Sequence, residues 1–219
     1  MKIFLDTADT DLIQEIMEYG IIDGVTTNPT LIRKSGRDPM DVYSDLVGMG
    51  LADISMEVSG DPQQMFDEAI RLADTFGSAT TIKLPMTRDG LLVCNNLKAE
   101  KIRTNVTLVF NMSQAVLAAK AGATYVSPFV GRIDDQGYAG LEVVRGIAQM
   151  FRALDADTKV LAASIRTPHR AVRSLYNGAH IVTLPPNVYH KMYKNLLTDV
   201  GLEIFDKDIK SINENLELN

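Results

Sequence analysis

Along the chain, short apolar runs rich in β-branched residues alternate with longer segments whose apolar residues recur at three- and four-residue intervals. The first pattern marks strands buried on both faces and the second marks helices with one buried side. The pattern predicts strands over 3–7, 25–28, 54–58, 80–84, 104–109, 125–130, 160–164 and 181–184. Helices are predicted over 10–19, 29–34, 39–47, 62–76, 89–101, 113–121, 139–154, 168–176 and 188–197. Pro29 and Pro39 stand near helix starts, where a missing N–H costs least, and Gly20 and Asn177-Gly178 stand at helix ends. Strand–helix units repeated in this way predict one α/β domain over 1–219 with the (β/α)8 TIM-barrel architecture. An open doubly wound sheet is the alternative. It is disfavoured because no Gly-x-Gly-x-x-Gly follows the first strand, and candidate ligand groups recur on nearly every strand.

Beyond the eighth unit, residues 199–218 form a predicted additional C-terminal helix striped with Leu202, Ile204, Phe205, Ile209, Ile212 and Leu216. An apolar stripe that the barrel does not need must cover something, either its own barrel or a neighbouring subunit.

One apolar run is broken by an ammonium group: Thr80-Thr81-Ile82-Lys83-Leu84-Pro85. Burial disfavours a charged amine and lowers its pKa, so Lys83 is a candidate nucleophile. A lysine at a strand end that simply reaches water is the commoner arrangement. The company of Lys83 favours the nucleophile. Asp6, Asn28, Glu57, Asn105, Thr107, Ser127 and Phe129 each lie late in or just beyond a predicted strand, and Ser164 ends the seventh. In a barrel that is the C-terminal mouth, where chemistry is assembled from several strands.

A desolvated lysine there can attack a ketone or aldehyde to give a Schiff base, an electron sink for carbon–carbon cleavage. Glu57 and Asp6 are the candidate acid and base, and Thr107 can position a water. The same carboxylates could instead form only an ion-paired structural network. Arg132 and Arg166 follow the sixth and seventh strands, and with Ser164 they form a candidate phosphate grip. The alternative is a pair of surface arginines neutralised by Asp134 or Asp135.

Composition narrows the classes. Of 219 residues, 46% are apolar and 23% charged, which is ordinary globular usage. A formal charge of −6 without a Lys/Arg block argues against nucleic acid, while a small phosphorylated substrate needs only an arginine or two. Residues 1–6 run directly into the first strand, and no apolar run is long enough to span a bilayer, so no membrane association and a cytoplasmic location are expected. Cys94, the single cysteine, lies at helical spacing among apolar neighbours and reads as a buried, inert thiol. His169, His180 and His190 show no metal spacing, so neither a metal nor a cofactor is expected. The glycosylation patterns at Asn105 and Asn111 are set aside, since no secretory segment is apparent and the first falls in a predicted core strand.

These motifs together carry a family resemblance: Phe4-Leu5-Asp6-Thr7, Gly24-Val25-Thr26-Thr27-Asn28-Pro29, Thr81-Ile82-Lys83-Leu84-Pro85, Asn105-Val106-Thr107-Leu108-Val109-Phe110, the segment 121–135 and Ala162-Ala163-Ser164-Ile165-Arg166. The chain resembles the transaldolase family in its short form. The resemblance implies a class I Schiff-base enzyme that moves a dihydroxyacetone unit from fructose 6-phosphate or sedoheptulose 7-phosphate to an aldose phosphate, in the non-oxidative pentose phosphate pathway. It implies Lys83 as nucleophile, with Asp6, Asn28, Glu57, Asn105, Thr107, Ser127 and Phe129 lining the site; Thr26, within the second motif, is a further candidate for substrate binding.

A related short-form group splits fructose 6-phosphate into free dihydroxyacetone and glyceraldehyde 3-phosphate. Its members tend to carry Gln where this chain has Glu57 and Tyr where it has Phe129, and Ser127 and Arg166 also match the transferase side. Val109 and Asn111, around Phe110, depart from the usual pattern. The resemblance further implies rings of five that stack into decamers, with the last helix reaching a neighbour. A non-catalytic sugar-phosphate binding protein would keep Arg132, Ser164 and Arg166 but would have no need of Lys83 beside Glu57.

Overall fold

The computed structural model describes residues 1–217. The side chain of Leu216 and residue 218, both assigned to the last helix from sequence, lie outside the described residues. The elements run β1 (Lys2–Asp6), α1 (Thr10–Met17), β2 (Gly24–Thr26), α2 (Pro29–Ser35), α3 (Pro39–Gly48), β3 (Ile54–Glu57), α4 (Pro62–Phe76) and β4 (Thr80–Pro85). They continue with α5 (Arg88–Ala99), β5 (Arg103–Val109), α6 (Met112–Lys120), β6 (Tyr125–Pro128), α7 (Val130–Asp135), α8 (Gly140–Ala153), β7 (Lys159–Ala162), α9 (Pro168–Tyr176), β8 (Ile181–Leu184), α10 (Pro186–Met192) and α11 (Leu196–Glu217). The eight strands pair in parallel in chain order, and β8 closes on β1. This is the TIM barrel that the sequence pattern predicts.

Side chains that fix the local structure stand at the helix starts. Asp9, Asn28, Asp38, Asp61, Thr87, Asn111 and Thr167 each accept a hydrogen bond from a first-turn N–H, and Asp61 with Gln64 completes a capping box. Along the strands, alternate residues take opposite sides of the wall. Leu5, Val25, Met56, Ile82, Leu84, Val106, Val126, Val160, Val182 and Leu184 face the helices and join the main core. Phe4, Tyr125, Leu161, Ala163 and Ile181 form a second, smaller cluster inside the barrel. Gly24 pairs with Phe4 across the wall, and a Cβ there would lie 2.8 Å from the Phe4 ring. The missing side chain makes room for the aromatic one.

The residues singled out from sequence lie toward the mouth, but the barrel has a second polar layer at its opposite end. Asp53, 1% exposed, accepts hydrogen bonds from Thr81 Oγ1 (2.8 Å), Arg103 (3.0 Å) and Tyr125 OH (2.6 Å). Burial, then the Asp53 carboxylate, drives the Tyr125 phenol well above its ordinary range. Asp53→Ala would leave the buried Thr81 hydroxyl and Tyr125 phenol without their acceptor and take the carboxylate from Arg103. It is expected to cost about 3 kcal/mol, read as a lower urea midpoint at unchanged slope; a cost below about 1 kcal/mol would show that water replaces the carboxylate.

Most boundaries shift by one or two residues, and the larger departures lie late in the chain. The sixth strand stops at Pro128 and the chain turns at once into α7, a six-residue helix that the apolar run 125–130 conceals. The seventh stops at Ala162, before Ser164, which adopts a left-handed φ of 57°. The segment predicted as 188–197 ends at Met192, and the last helix starts earlier, at Leu196. On α11, Leu202, Ile204, Phe205, Ile209 and Ile212 are all exposed. Among the described residues no helix is long and apolar enough to cross a membrane.

Candidate active site

Lys83 is positioned by register. Glu57 pairs with it from β3 and Asn105 from β5, so all three side chains enter the barrel at one level. Lys83 is 6% exposed. Its Nζ donates to Glu57 Oε2 at 2.7 Å and to the Thr27 carbonyl at 2.9 Å. The Asn105 amide is braced on both sides: it donates to Ser55 Oγ (3.2 Å) and accepts from Ser127 Oγ (2.6 Å).

Opposite lies a hydroxyl chain that ends on a carboxylate. Thr26 Oγ1 donates to Asp6 Oδ1 at 2.8 Å and shares a 2.7 Å contact with Thr183 Oγ1. Because Thr26 spends its only proton on Asp6, Thr183 is the donor in that contact. Burial raises the Asp6 pKa, while Lys83 and the Thr26 hydrogen bond pull it the other way less strongly. Such a carboxylate takes up a proton more readily than one in water.

A cavity of about 150 Å³ opens over these groups. Of the residues singled out from sequence, Asp6, Thr26, Asn28, Lys83, Asn105, Thr107, Ser127, Phe129, Arg132 and Ser164 line it. Glu57 is outside the lining and joins the site through its ion pair with Lys83. Arg166 lies outside the lining, with both terminal nitrogens held by the Asp135 carboxylate, and that pair is about half exposed. Asn28 also serves as the α2 cap through its Oδ1. Thr183, Leu161 and Ala163 complete the wall. Thr183 carried no signal in the sequence, since a threonine in a β-prone run reads as strand propensity.

Two backbone irregularities aim side chains at the cavity. Pairing between β5 and β6 shifts register between Val106 and Val109, and Leu108 sits at φ 59°. Such bulges re-aim neighbouring side chains. Beside this one, Thr107 Oγ1 is buried and has no hydrogen-bond partner among the described residues. At the rim, Phe129 packs edge-on against Phe110 (6.0 Å between centroids), and the Arg132 guanidinium lies 5.8 Å over the Phe129 ring. The unusual neighbours of Phe110 act locally: Val109 is buried, and Asn111 caps α6. Cys94 is buried beside Thr104 and lies in α5, outside the cavity lining.

A family model described as transaldolase/fructose-6-phosphate aldolase matches residues 3–218. The chain is 46% identical over 209 residues to a protein of Symbiobacterium thermophilum, covering 95% of this chain and 96% of the relative. It is 44% identical over 217 residues to one of Caulobacter vibrioides, covering 99% and 100%, and 47% identical over 209 residues to one of a Thermoanaerobacter species, covering 95% and 96%. All three relatives carry the description "probable transaldolase". With a closed parallel barrel, a buried lysine at its mouth and a match along nearly its whole length, the chain belongs to the transaldolase/fructose-6-phosphate aldolase family and is an enzyme of the transaldolase type.

Proposed function

We propose that the enzyme transfers a dihydroxyacetone unit from a ketose phosphate, fructose 6-phosphate or sedoheptulose 7-phosphate, to glyceraldehyde 3-phosphate or erythrose 4-phosphate in the non-oxidative pentose phosphate pathway. The observation that carries this reading is the buried Lys83 amine, 2.7 Å from Glu57 in a cavity walled by Asp6 and Thr107. Glu57 takes a proton from Lys83, and the free amine attacks the ketone carbonyl. Loss of water from the carbinolamine gives the iminium ion, with Glu57 moving the protons and Thr107 Oγ1 holding the water.

Asp6 then removes the proton of the hydroxyl on the far carbon of the bond to be broken. That hydroxyl carbon becomes the aldehyde of the departing aldose, and the bonding electrons flow into the iminium to leave an enamine. An incoming aldehyde is attacked by the enamine, Asp6 returns its proton, and hydrolysis frees Lys83. Asn105 and Asn28 offer amide donors to the substrate hydroxyls, and Arg132, Ser164 and Arg166 receive the phosphate.

The fate of the enamine separates transfer from simple cleavage. A phenol at 129 could deliver a proton to it and release dihydroxyacetone, whereas the Phe129 ring has none to give. With fructose 6-phosphate alone, the protein is expected to release little glyceraldehyde 3-phosphate. Adding erythrose 4-phosphate should bring out both glyceraldehyde 3-phosphate and sedoheptulose 7-phosphate. Phe129→Tyr is expected to raise acceptor-independent release about tenfold. Release of dihydroxyacetone at a comparable rate by the unaltered protein would make it an aldolase, the alternative reading.

The exposed apolar stripe of α11 supports a homo-oligomer, a pentamer or decamer, in which this helix covers a neighbouring subunit. A monomer in sedimentation at micromolar concentration would contradict that assembly. The same reading places the enzyme in the cytoplasm as one domain spanning 1–219, with its C-terminal helix shared between subunits.

A further inference from the structure

Arg166 stands apart from its proposed partners in the phosphate grip, since Arg132 and Ser164 line the cavity and it does not. What holds it is Asp135, at the end of the short helix α7, and no role in the chemistry falls to that residue in the reading above. We propose that Asp135 is a positioning residue that orients Arg166 to receive the substrate phosphate, and so sets the preference for phosphorylated over unphosphorylated sugars. This inference rests on the proposed phosphate grip.

The geometry is that of a two-pronged clamp. Oδ1 and Oδ2 of Asp135 take one N–H from each terminal nitrogen of Arg166, which fixes the plane of the guanidinium. Three of its five N–H groups, including that on Nε, are left for another acceptor. Nε lies 2.8 Å from the point that a Cβ on Gly131 would occupy, and Ser164 Oγ lies 3.0 Å from the same point. The two donors therefore converge over a glycine, in space that any other residue would fill. The Gly131 N–H in turn donates to the Ser164 carbonyl at 3.0 Å. One end of the guanidinium is thus secured to α7 while the Nε side is left beside Gly131, the chain neighbour of the cavity-lining Arg132. Arg166 holds the Asp135 carboxyl below the usual carboxylate range, so the clamp persists through neutral pH.

A second ion pair makes the clamp separable from the fold. Asp134 Oδ2 lies 3.2 Å from Arg170, and its Oδ1 accepts the Gly140 N–H at 3.0 Å, so α7 stays tied to α9 and α8 without Asp135. The Arg166–Asp135 pair is itself about half exposed, and exposed pairs add little to stability. Its effect falls instead on binding. An arginine that is not held must lose its rotamer freedom when the phosphate arrives.

The test is steady-state kinetics of Asp135→Asn, Asp135→Glu and Arg166→Ala, with fructose 6-phosphate and fructose as donors and inorganic phosphate as competing ligand. Asp135→Asn is expected to raise KM for fructose 6-phosphate about 3- to 10-fold with kcat within about twofold. The inhibition constant of phosphate should rise in parallel, and the ratio of kcat/KM for fructose 6-phosphate over fructose should fall by the same factor. Asp135→Glu should recover part of the loss. If Arg166→Ala raises KM for fructose 6-phosphate and Asp135→Asn leaves it unchanged or lower, Asp135 does not position Arg166 and the inference falls alone. An equal loss on both donors would mean a structural role and would overturn it too. If Arg166→Ala leaves KM for fructose 6-phosphate unchanged, the phosphate grip itself is wrong and the inference falls with it.

Discussion

Replacing Lys83 by methionine is expected to lower turnover by at least about 10⁴-fold. Methionine spans much the same length without an amine, and among the described residues no other lysine lines the cavity. The mechanism then has no atom with which to form an iminium, so the electrons of the breaking bond have nowhere to go. The substitution also strips Glu57, 19% exposed, of its counter-ion, and this is expected to cost about 1–3 kcal/mol. Adding Glu57→Gln to Lys83→Met removes the stranded charge and should recover most of that stability. It should recover none of the turnover. Activity within about a hundredfold of the unaltered protein in either variant would mean that Lys83 works only as an electrostatic group.

Asp6→Asn is expected to lower kcat by about 10²–10⁴-fold while leaving the protein as stable as before or more so. The asparagine Oδ1 can still accept from Thr26, so the hydroxyl chain through Thr183 survives. What disappears is a charge whose burial is unfavourable. The Asp6 carboxyl has a folded-state pKa raised above its ordinary 3.8, chiefly by desolvation. The folded state therefore holds the proton more tightly than the unfolded chain does. The stability that this contributes is complete below about pH 3.8 and is lost as pH rises through the folded value. At neutral pH the ionised group is thus a net cost that Asn does not bear. The thermal midpoints of the two proteins should converge in acid and separate toward pH 7, with Asn the higher. A lower midpoint for Asp6→Asn at pH 7 would show that the attraction to Lys83 outweighs desolvation, and a retained kcat would remove Asp6 from the proton-transfer steps.

Lys83 was legible in the sequence because it breaks an otherwise apolar run, and Glu57 and Asn105 were legible because parallel register carries them from the adjacent strands to the level of Lys83. The strands themselves stood out for a related reason: their helix-facing positions are mostly apolar and join the main core. Other features lacked a local signature. Helix α7 is only six residues long, and tertiary hydrogen bonds from Val130 to Ala163 and from Gly131 to Ser164 help set its start, which no propensity reports. The floor around Asp53 joins a loop residue to partners 28, 50 and 72 positions away, each unremarkable in its own segment. Arg166 could be placed near the mouth from its motif. Its clamp by Asp135 depends on α7 and so could not be read as a device, only as one of two open alternatives.

The claim on which the rest depends is that Lys83 carries the dihydroxyacetone unit between donor and acceptor. It is tested most directly by adding borohydride to the protein with fructose 6-phosphate and mapping the reduced adduct by peptide mass. A three-carbon adduct on Lys83, absent from Lys83→Met and lost when erythrose 4-phosphate is supplied in excess before the reductant, is the predicted result. No adduct, or an adduct on a different lysine, would contradict it.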